Sequence, residues 1–309
     1  MRVAVVDIGT NSTRLLVADV DDQGRVTELD RRSTVTRLGQ GVDASGTLAP
    51  EAMDRVFAAL AGYREAADAL DVEATTGVLT SAVRDASNGA AFQAEIRERY
   101  GFEVDTITGD REAQLTFLGA TSERDHAAQS GPTVVIDIGG GSTEFVLGDG
   151  GDVTFHVSTQ VGVVRQTERH FTDDPPTHHE LTAMADEVRA TFHDQLPREV
   201  REAARWAIAV AGTATSAAAM LLELEPYDGE RVHGHVIYRA EVEMLLARLA
   251  EMDEDERRRV PGLHPDRAPT IVAGMLVLAE ALRAFDLDEA EVSEHDILRG
   301  AAITRAQAG

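Results

Sequence analysis

The segment TVVIDIGGGSTEFVL spans Thr133 to Leu147 and changes character twice. Thr133 to Ile138 is apolar and β-branched except at Asp137, the composition of a buried strand. Gly139, Gly140 and Gly141 then make a turn, followed by Ser142, Thr143, a lone Glu144 and a second apolar run. The pattern predicts a tight hairpin whose glycines can take positive φ and leave their N–H groups unobstructed. Such a turn can cradle a phosphate in a nest of N–H donors. Asp137 and Glu144 set two hard oxygen ligands beside it, a donor set suited to Mg²⁺ (or Mn²⁺) rather than zinc. The plain alternative is an ordinary hairpin that binds nothing.

A second copy weighs against that alternative. VVDIGTNSTRLLVADV, residues 5–20, aligns without gaps on VIDIGGGSTEFVLGDG, residues 135–150. Val5, Asp7, Ile8, Gly9, Ser12, Thr13 and Asp19 are matched by Val135, Asp137, Ile138, Gly139, Ser142, Thr143 and Asp149. A strand–turn–strand repeated at domain-sized spacing implies two α/β lobes of related fold, with their phosphate-binding hairpins across a cleft. The candidate phosphate contacts are Gly9, Thr10, Asn11 and Ser12 in one copy, and Gly139, Gly140, Gly141, Ser142 and Thr143 in the other. Asp7 joins Asp137 and Glu144 as a candidate metal ligand. The copies differ where Arg14 stands in place of Glu144, so the lobes have diverged in role.

DIGTNS and DIGGGSTE together resemble the exopolyphosphatase / guanosine pentaphosphate phosphatase family of the actin–Hsp70–sugar-kinase superfamily. The blocks TRLGQGVDASGTLAPEAM, TSAVRDASN, GDREAQLTFLGA, QVGVVRQTE, GTATS and SEHDILRG extend that resemblance, in order, along almost the whole chain. The resemblance implies two RNase H-like (actin-like ATPase) lobes with an interlobe cleft. The boundaries expected are 1–122 for the first lobe and 123–309 for the second. A C-terminal helix at about 295–309 should pack back on the first lobe. Longer relatives carry an added helical region resembling an HD phosphohydrolase domain, for which this chain has no room.

Bulk properties narrow the classes of partner. The chain has 309 residues, 43% of them hydrophobic, enough for two ordinary cores. No cysteine is present, which excludes disulfides, thiolate catalysis and Cys-based zinc sites. The N-terminus enters a strand directly, with no signal-like segment, and no apolar run approaches membrane-spanning length, so a cytoplasmic protein is expected. The formal charge is −25 and every basic residue is arginine, which argues against nucleic acid as a partner. A cleft lined by a few arginines can still be positive, because screening acts over roughly 8–10 Å at physiological salt. A salt-rich cytoplasm and a GC-rich genome both account for the lysine-free composition.

Further candidates lie along the chain. Glu51–Leu70 is predicted helical from Val56, Leu60, Tyr63, Ala67 and Leu70 on one face. The strand Thr75–Thr80 leads to Arg84, either a bidentate phosphate clamp or a surface arginine paired with Asp85. The resemblance favours the clamp. Gly109 opens a helix with Asp110 and Glu112 in its first turn, where acids commonly complement the dipole. The resemblance makes Glu112 the catalytic residue that orients and deprotonates the attacking water, and leaves Asp110 as a cap. The helix Thr177–Leu196 carries His178, His179 and His193, whose positions on different faces argue against a shared metal. Strand Trp206–Ala211 runs into Gly212-Thr213, either an anion-binding helix start or a small-residue turn for close packing. His233 and His235 are read as loop residues. Arg267 matches an arginine in the family's block and is a further phosphate candidate by resemblance.

Taken with the family, these residues imply an exopolyphosphatase that releases orthophosphate from chain ends of inorganic polyphosphate. Guanosine pentaphosphate 5′-phosphohydrolysis is the alternative within the family. A non-catalytic polyphosphate- or nucleotide-binding protein is the alternative from another class. The resemblance allows a homodimer, for which the sequence marks no interface.

Overall fold

A computed structural model describes residues 1–79, 83–84, 86–124 and 130–308. The chain divides into two units, Met1–Ser122 with Asp296–Gly309, and Glu123–His295.

In the first unit, β1 (Arg2–Ile8), β2 (Ser12–Val20), β3 (Val26–Val35), β4 (Ala74–Leu79) and β5 (Val104–Thr106) form a sheet in the order β3-β2-β1-β4-β5. β1 is antiparallel to β2 and parallel to β4. Val3, Ala4, Val5, Val6 and Ile8 are all fully buried, so this strand is covered on both faces. Ala4, Val6 and Ile8 pack with Val56, Leu60 and Phe92 on one face. Val3 and Val5 pack with Leu115, Leu298 and Ala302 on the other. The period-two alternation of strand side chains sends successive valines to different helices. The covering helices are Pro50–Ala69 and Gly89–Tyr100 on the first face, and Gly109–Thr121 and Ile297–Gln307 on the second.

The second unit repeats the plan. β6 (Thr133–Ile138), β7 (Thr143–Asp149), β8 (Asp152–Thr159), β9 (Trp206–Val210), β10 (Val236–Tyr238) and β11 (Glu289–Val292) lie in the order β10-β11-β9-β6-β7-β8. Reading from β8, the first five strands repeat the first unit's order and directions, and β10 adds an antiparallel edge. Even the irregularity is duplicated: the β2–β3 ladder slips at Val17/Ala18 and the β7–β8 ladder at the matching Leu147/Gly148. The helix Ile271–Ala284 is buried from Ile271 through Leu282 and is apolar on all sides of that stretch except at Glu280, which Arg189 and Arg283 pair. Phe145 meets Phe192 of the helix His178–Gln195 edge-on at 4.9 Å.

Several sequence expectations change at this level. Neither Gly139 nor Gly141 uses the left-handed φ that the turn's composition permits. The cap of the helix Gly109–Thr121 is Thr108, whose hydroxyl accepts from the Arg111 N–H, and not Asp110. β10 and β11 carry too little periodicity to be legible as strands; β11 pairs with the edge of β9, and β10 with β11. The end of the predicted strand at Thr80, and Asp85, lie outside the described residues. Among the described residues no helix is long and apolar enough to cross a membrane.

Candidate active site

The two hairpins share one backbone device. Gly9 N–H donates to Ser12 O and Gly139 N–H to Ser142 O, each at 2.9 Å. In the second unit the turn's carbonyls are held from behind. Gly139 O accepts from Val163 N–H at 3.0 Å, Gly140 O from Val164 N–H at 2.9 Å, and Gly141 O from Arg165 Nε at 3.0 Å. A trans peptide points its N–H opposite to its C=O. The amides of Gly140, Gly141 and Ser142 are therefore aimed away from the segment that binds the carbonyls. Among the described residues these three amides have no protein acceptor. The result is a set of convergent N–H donors of the kind that binds an anion.

The first unit does the same with a different backing. Thr10 O accepts from Gly39 N–H at 2.9 Å, and Asn11 O accepts from Thr36 and Arg37 N–H at 2.9 and 2.8 Å. The amides of Asn11 and Ser12 are thereby turned outward. In the second unit the backing demands a glycine. A Cβ on Gly162 would stand 2.2 Å from the carbonyl carbon of Gly141, so only hydrogen fits there. Thr143 takes no part in the nest. It is fully buried, and its hydroxyl donates to Val161 O at 2.5 Å.

The acids beside the two turns have different partners. Asp137 and Glu144 stand opposite each other in the β6–β7 ladder, in the register that pairs Asp7 with Arg14 in β1–β2. Cβ atoms of opposed residues are roughly 4.5–5.5 Å apart, so two carboxylates in this position repel unless a cation lies between or beside them. Ser158, opposite Glu144 on the next strand, donates to its Oε1 at 2.6 Å and fixes that side chain. The donor set is hard oxygen on a rigid ladder and fits Mg²⁺ or Mn²⁺. Asp7, the third predicted ligand, is paired with an arginine. Arg14 Nε donates to Asp7 Oδ2 at 2.9 Å and Nη2 reaches the same oxygen at 2.5 Å, while Nη1 bonds Asp296. Burial pushes the Asp7 carboxyl up, Arg14 pulls it down, and Asp296 adds to the rise. In the first hairpin a protein cation, Arg14, thus engages the acid directly.

The remaining candidates fall into two groups. In the first unit, Arg84 is exposed and its Nη1 donates to Ile107 O at 3.1 Å. That carbonyl lies just ahead of the helix whose first turn carries the half-buried Glu112, so one end of the sheet presents both side chains. In the second unit, Gly212 and Arg267, read separately from sequence, are in contact. A Cβ on Gly212 would lie 1.4 Å from Arg267 Nη1, so the guanidinium occupies the side-chain space of that glycine. Ala211 just before it has a φ of 61°, a left-handed conformation rare for alanine. Thr213 is buried and packs its methyl on Gly274. Sequence reasoning missed Asp296 and Ser158, because neither lies near its partner in the chain.

The chain is similar to known proteins along its whole length. The Ppx/GppA phosphatase family pattern covers residues 16–303. The chain is 38% identical to Exopolyphosphatase 2 of Mycobacterium tuberculosis, over 99% of this chain and 98% of that one. The Ppx/GppA family member of Aquifex aeolicus superposes with a TM-score of 0.86 at 29% identity, covering 100% of this chain and 98% of its own. An exopolyphosphatase-like protein superposes with a TM-score of 0.88 at 34% identity, covering 100% and 99%. With its duplicated strand order, its paired turns and these similarities over the full length, the chain belongs to the Ppx/GppA phosphatase family and has the actin-like fold of that family.

Proposed function

We propose that this chain is an exopolyphosphatase that hydrolyses the terminal phosphoanhydride of inorganic polyphosphate and releases orthophosphate. The observation that carries the reading is the second hairpin, where outward-turned amides sit beside the opposed Asp137–Glu144 pair. Whole-length similarity to a protein named Exopolyphosphatase 2 supports the choice of substrate.

Phosphoryl transfer asks a protein mainly for positioning and charge neutralisation. The amides around Gly139–Ser142 and Gly9–Ser12 bind phosphate oxygens, and Arg84 and Arg267 add bidentate donors. Asp137 and Glu144 hold Mg²⁺ or Mn²⁺, which when bound screens the charge of the phosphoanhydride oxygens. Glu112 takes a proton from the attacking water. The water oxygen bonds to the terminal phosphorus as the bridging P–O bond breaks, and the shortened chain leaves with the bridging oxygen.

The test is orthophosphate release in Mg²⁺ from polyphosphate, guanosine pentaphosphate and ATP at matched terminal-phosphate concentration. Fastest release from polyphosphate is expected. Preference for guanosine pentaphosphate would keep the site and move the substrate to the nucleotide. No release from any of the three, at low or high salt, would overturn the hydrolase reading.

A further inference from the structure

Three metal-donor side chains from distant parts of the sequence meet within the second unit. Glu123 is that unit's first residue and His295 its last, while His233 ends the short helix Gly229–Val232. His233 Nε2 lies 3.6 Å from Glu123 Oε2, and His295 Nδ1 lies 3.9 Å from the same oxygen. All three donor atoms fall within 4.8 Å of one another, and no other such group exists among the described residues. The imidazole centroids are 4.0 Å apart with the rings inclined by 41°.

These spacings are those of a coordination shell slightly opened. Zinc–nitrogen bonds of about 2.0–2.1 Å in a tetrahedral arrangement put neighbouring donors roughly 3.3–3.4 Å apart. The His233 contact to Glu123, at 3.6 Å, is close to that, and the His295 contact, at 3.9 Å, would close by about half an ångström on loading. The donors are already placed by backbone contacts. Ser293 Oγ accepts from the His295 N–H at 3.0 Å and donates to His295 O at 3.1 Å. The Glu294 N–H reaches His233 Nδ1 at 3.3 Å and sets that ring's direction. Two imidazoles and one carboxylate are borderline donors that select Zn²⁺, Co²⁺ or Ni²⁺ over Mg²⁺. We propose that Glu123, His233 and His295 form a transition-metal site, separate from the Asp137–Glu144 pair and open to water or an anion at its remaining position.

Loading has a proton consequence. With Nδ1 accepting from Glu294, the neutral His233 ring carries its proton on Nε2, facing Glu123. The metal takes the Nε2 lone pair, the ring proton then resides on Nδ1, and the long Glu294 contact opens. Because Glu123 and His295 are the two ends of the unit, a bound ion also ties those ends together and raises stability by mass action.

The experiment is a Co²⁺ titration of tag-free, chelator-treated full-length protein in excess Mg²⁺, read by visible d–d absorption and repeated with Zn²⁺ in competition. One saturable Co²⁺ per chain is expected, displaced by Zn²⁺. Glu123→Gln and His295→Ala should each weaken it by roughly tenfold or more, whereas Asp137→Asn leaves it intact. Nitrogen-15 shifts of His233 should report the change of tautomer on loading. Glu123 is half exposed, so its variant keeps the test valid if His295→Ala fails to fold. Absence of saturable binding, equal affinity in Glu123→Gln and wild type, or loss of the Co²⁺ spectrum in Asp137→Asn would each overturn the assignment.

Discussion

Asp137 and Glu144 face each other across one hairpin in the register where Asp7 and Arg14 face each other across its duplicate. One backbone solution thus carries an acid–acid pair in the second unit and an acid–base pair in the first. The acid–base pair is an internal ion pair, and the acid–acid pair offers hard oxygen donors of the kind that suit Mg²⁺. From this contrast, and from the turns beside it, come specific expectations.

Asp137→Asn removes one of the two carboxylates proposed to hold Mg²⁺. The variant is expected to lose the stabilisation that Mg²⁺ confers on the wild type. For the wild type that stabilisation should reach about 2.7 kcal/mol at a hundredfold excess over Kd. Thermal melts with and without Mg²⁺ measure both. A variant that still gains fully from Mg²⁺ would show that the ion binds elsewhere.

Arg14 holds two carboxylates together, and the side chains of Arg14, Asp7 and Asp296 are 21%, 13% and 4% exposed. Breaking such a pair strands buried charge at a typical cost of about 3–5 kcal/mol. Arg14→Leu should lose about 3 kcal/mol in urea unfolding, and Arg14→Lys should recover part of it, because one ammonium cannot reproduce the forked geometry.

Glu112→Gln keeps the shape of the side chain and removes its basicity. Turnover of polyphosphate should fall by ~10² to 10⁴, with KM little changed. Loss of substrate binding alongside turnover would assign Glu112 a structural or metal-holding role instead.

Gly162 backs the phosphate-binding turn. Because its added Cβ would meet the backbone of Gly141 and Ser142, Gly162→Ala must displace the turn. Overpacking of this kind costs about 1–3 kcal/mol. KM for polyphosphate is expected to rise along with the loss of stability, whereas purely structural damage would lower stability alone.

Acid stability depends in part on Glu180. Its carboxylate is held down from an ordinary 4.5 to about 2, chiefly by the backbone N–H groups of Thr172 and Thr177 and by the Thr172 hydroxyl. A depressed folded-state value stabilises the fold above pH 4.5 and loses that contribution as pH falls toward 2. Melting temperatures of wild type and Glu180→Gln should therefore differ most above pH 4.5 and converge near pH 2. A constant separation across that window would remove Glu180 from the acid response.

The strands Arg2–Ile8 and Thr133–Ile138, the turns after them and the duplication itself were legible in the sequence. Local alternation, β-branching and short-range identity encode them, and none depends on a partner far along the chain. Glu112 and Arg267 rested on resemblance, since a first-turn glutamate or a loop arginine carries no local signature of catalysis or phosphate binding. Composition permits positive φ at the glycines, and Gly139 and Gly141 do not use it.

The sequence by itself determined that two related α/β lobes exist and where their hairpins lie, because strand periodicity and repetition are short-range properties. Only the tertiary structure decided what each acid faces. Asp296 comes back to Arg14 because the last helix packs on the first sheet. His233 and His295 reach Glu123 because the second unit brings the short helix Gly229–Val232 to its two ends. Those pairings depend on the path of the chain through space, and no window along it contains both partners.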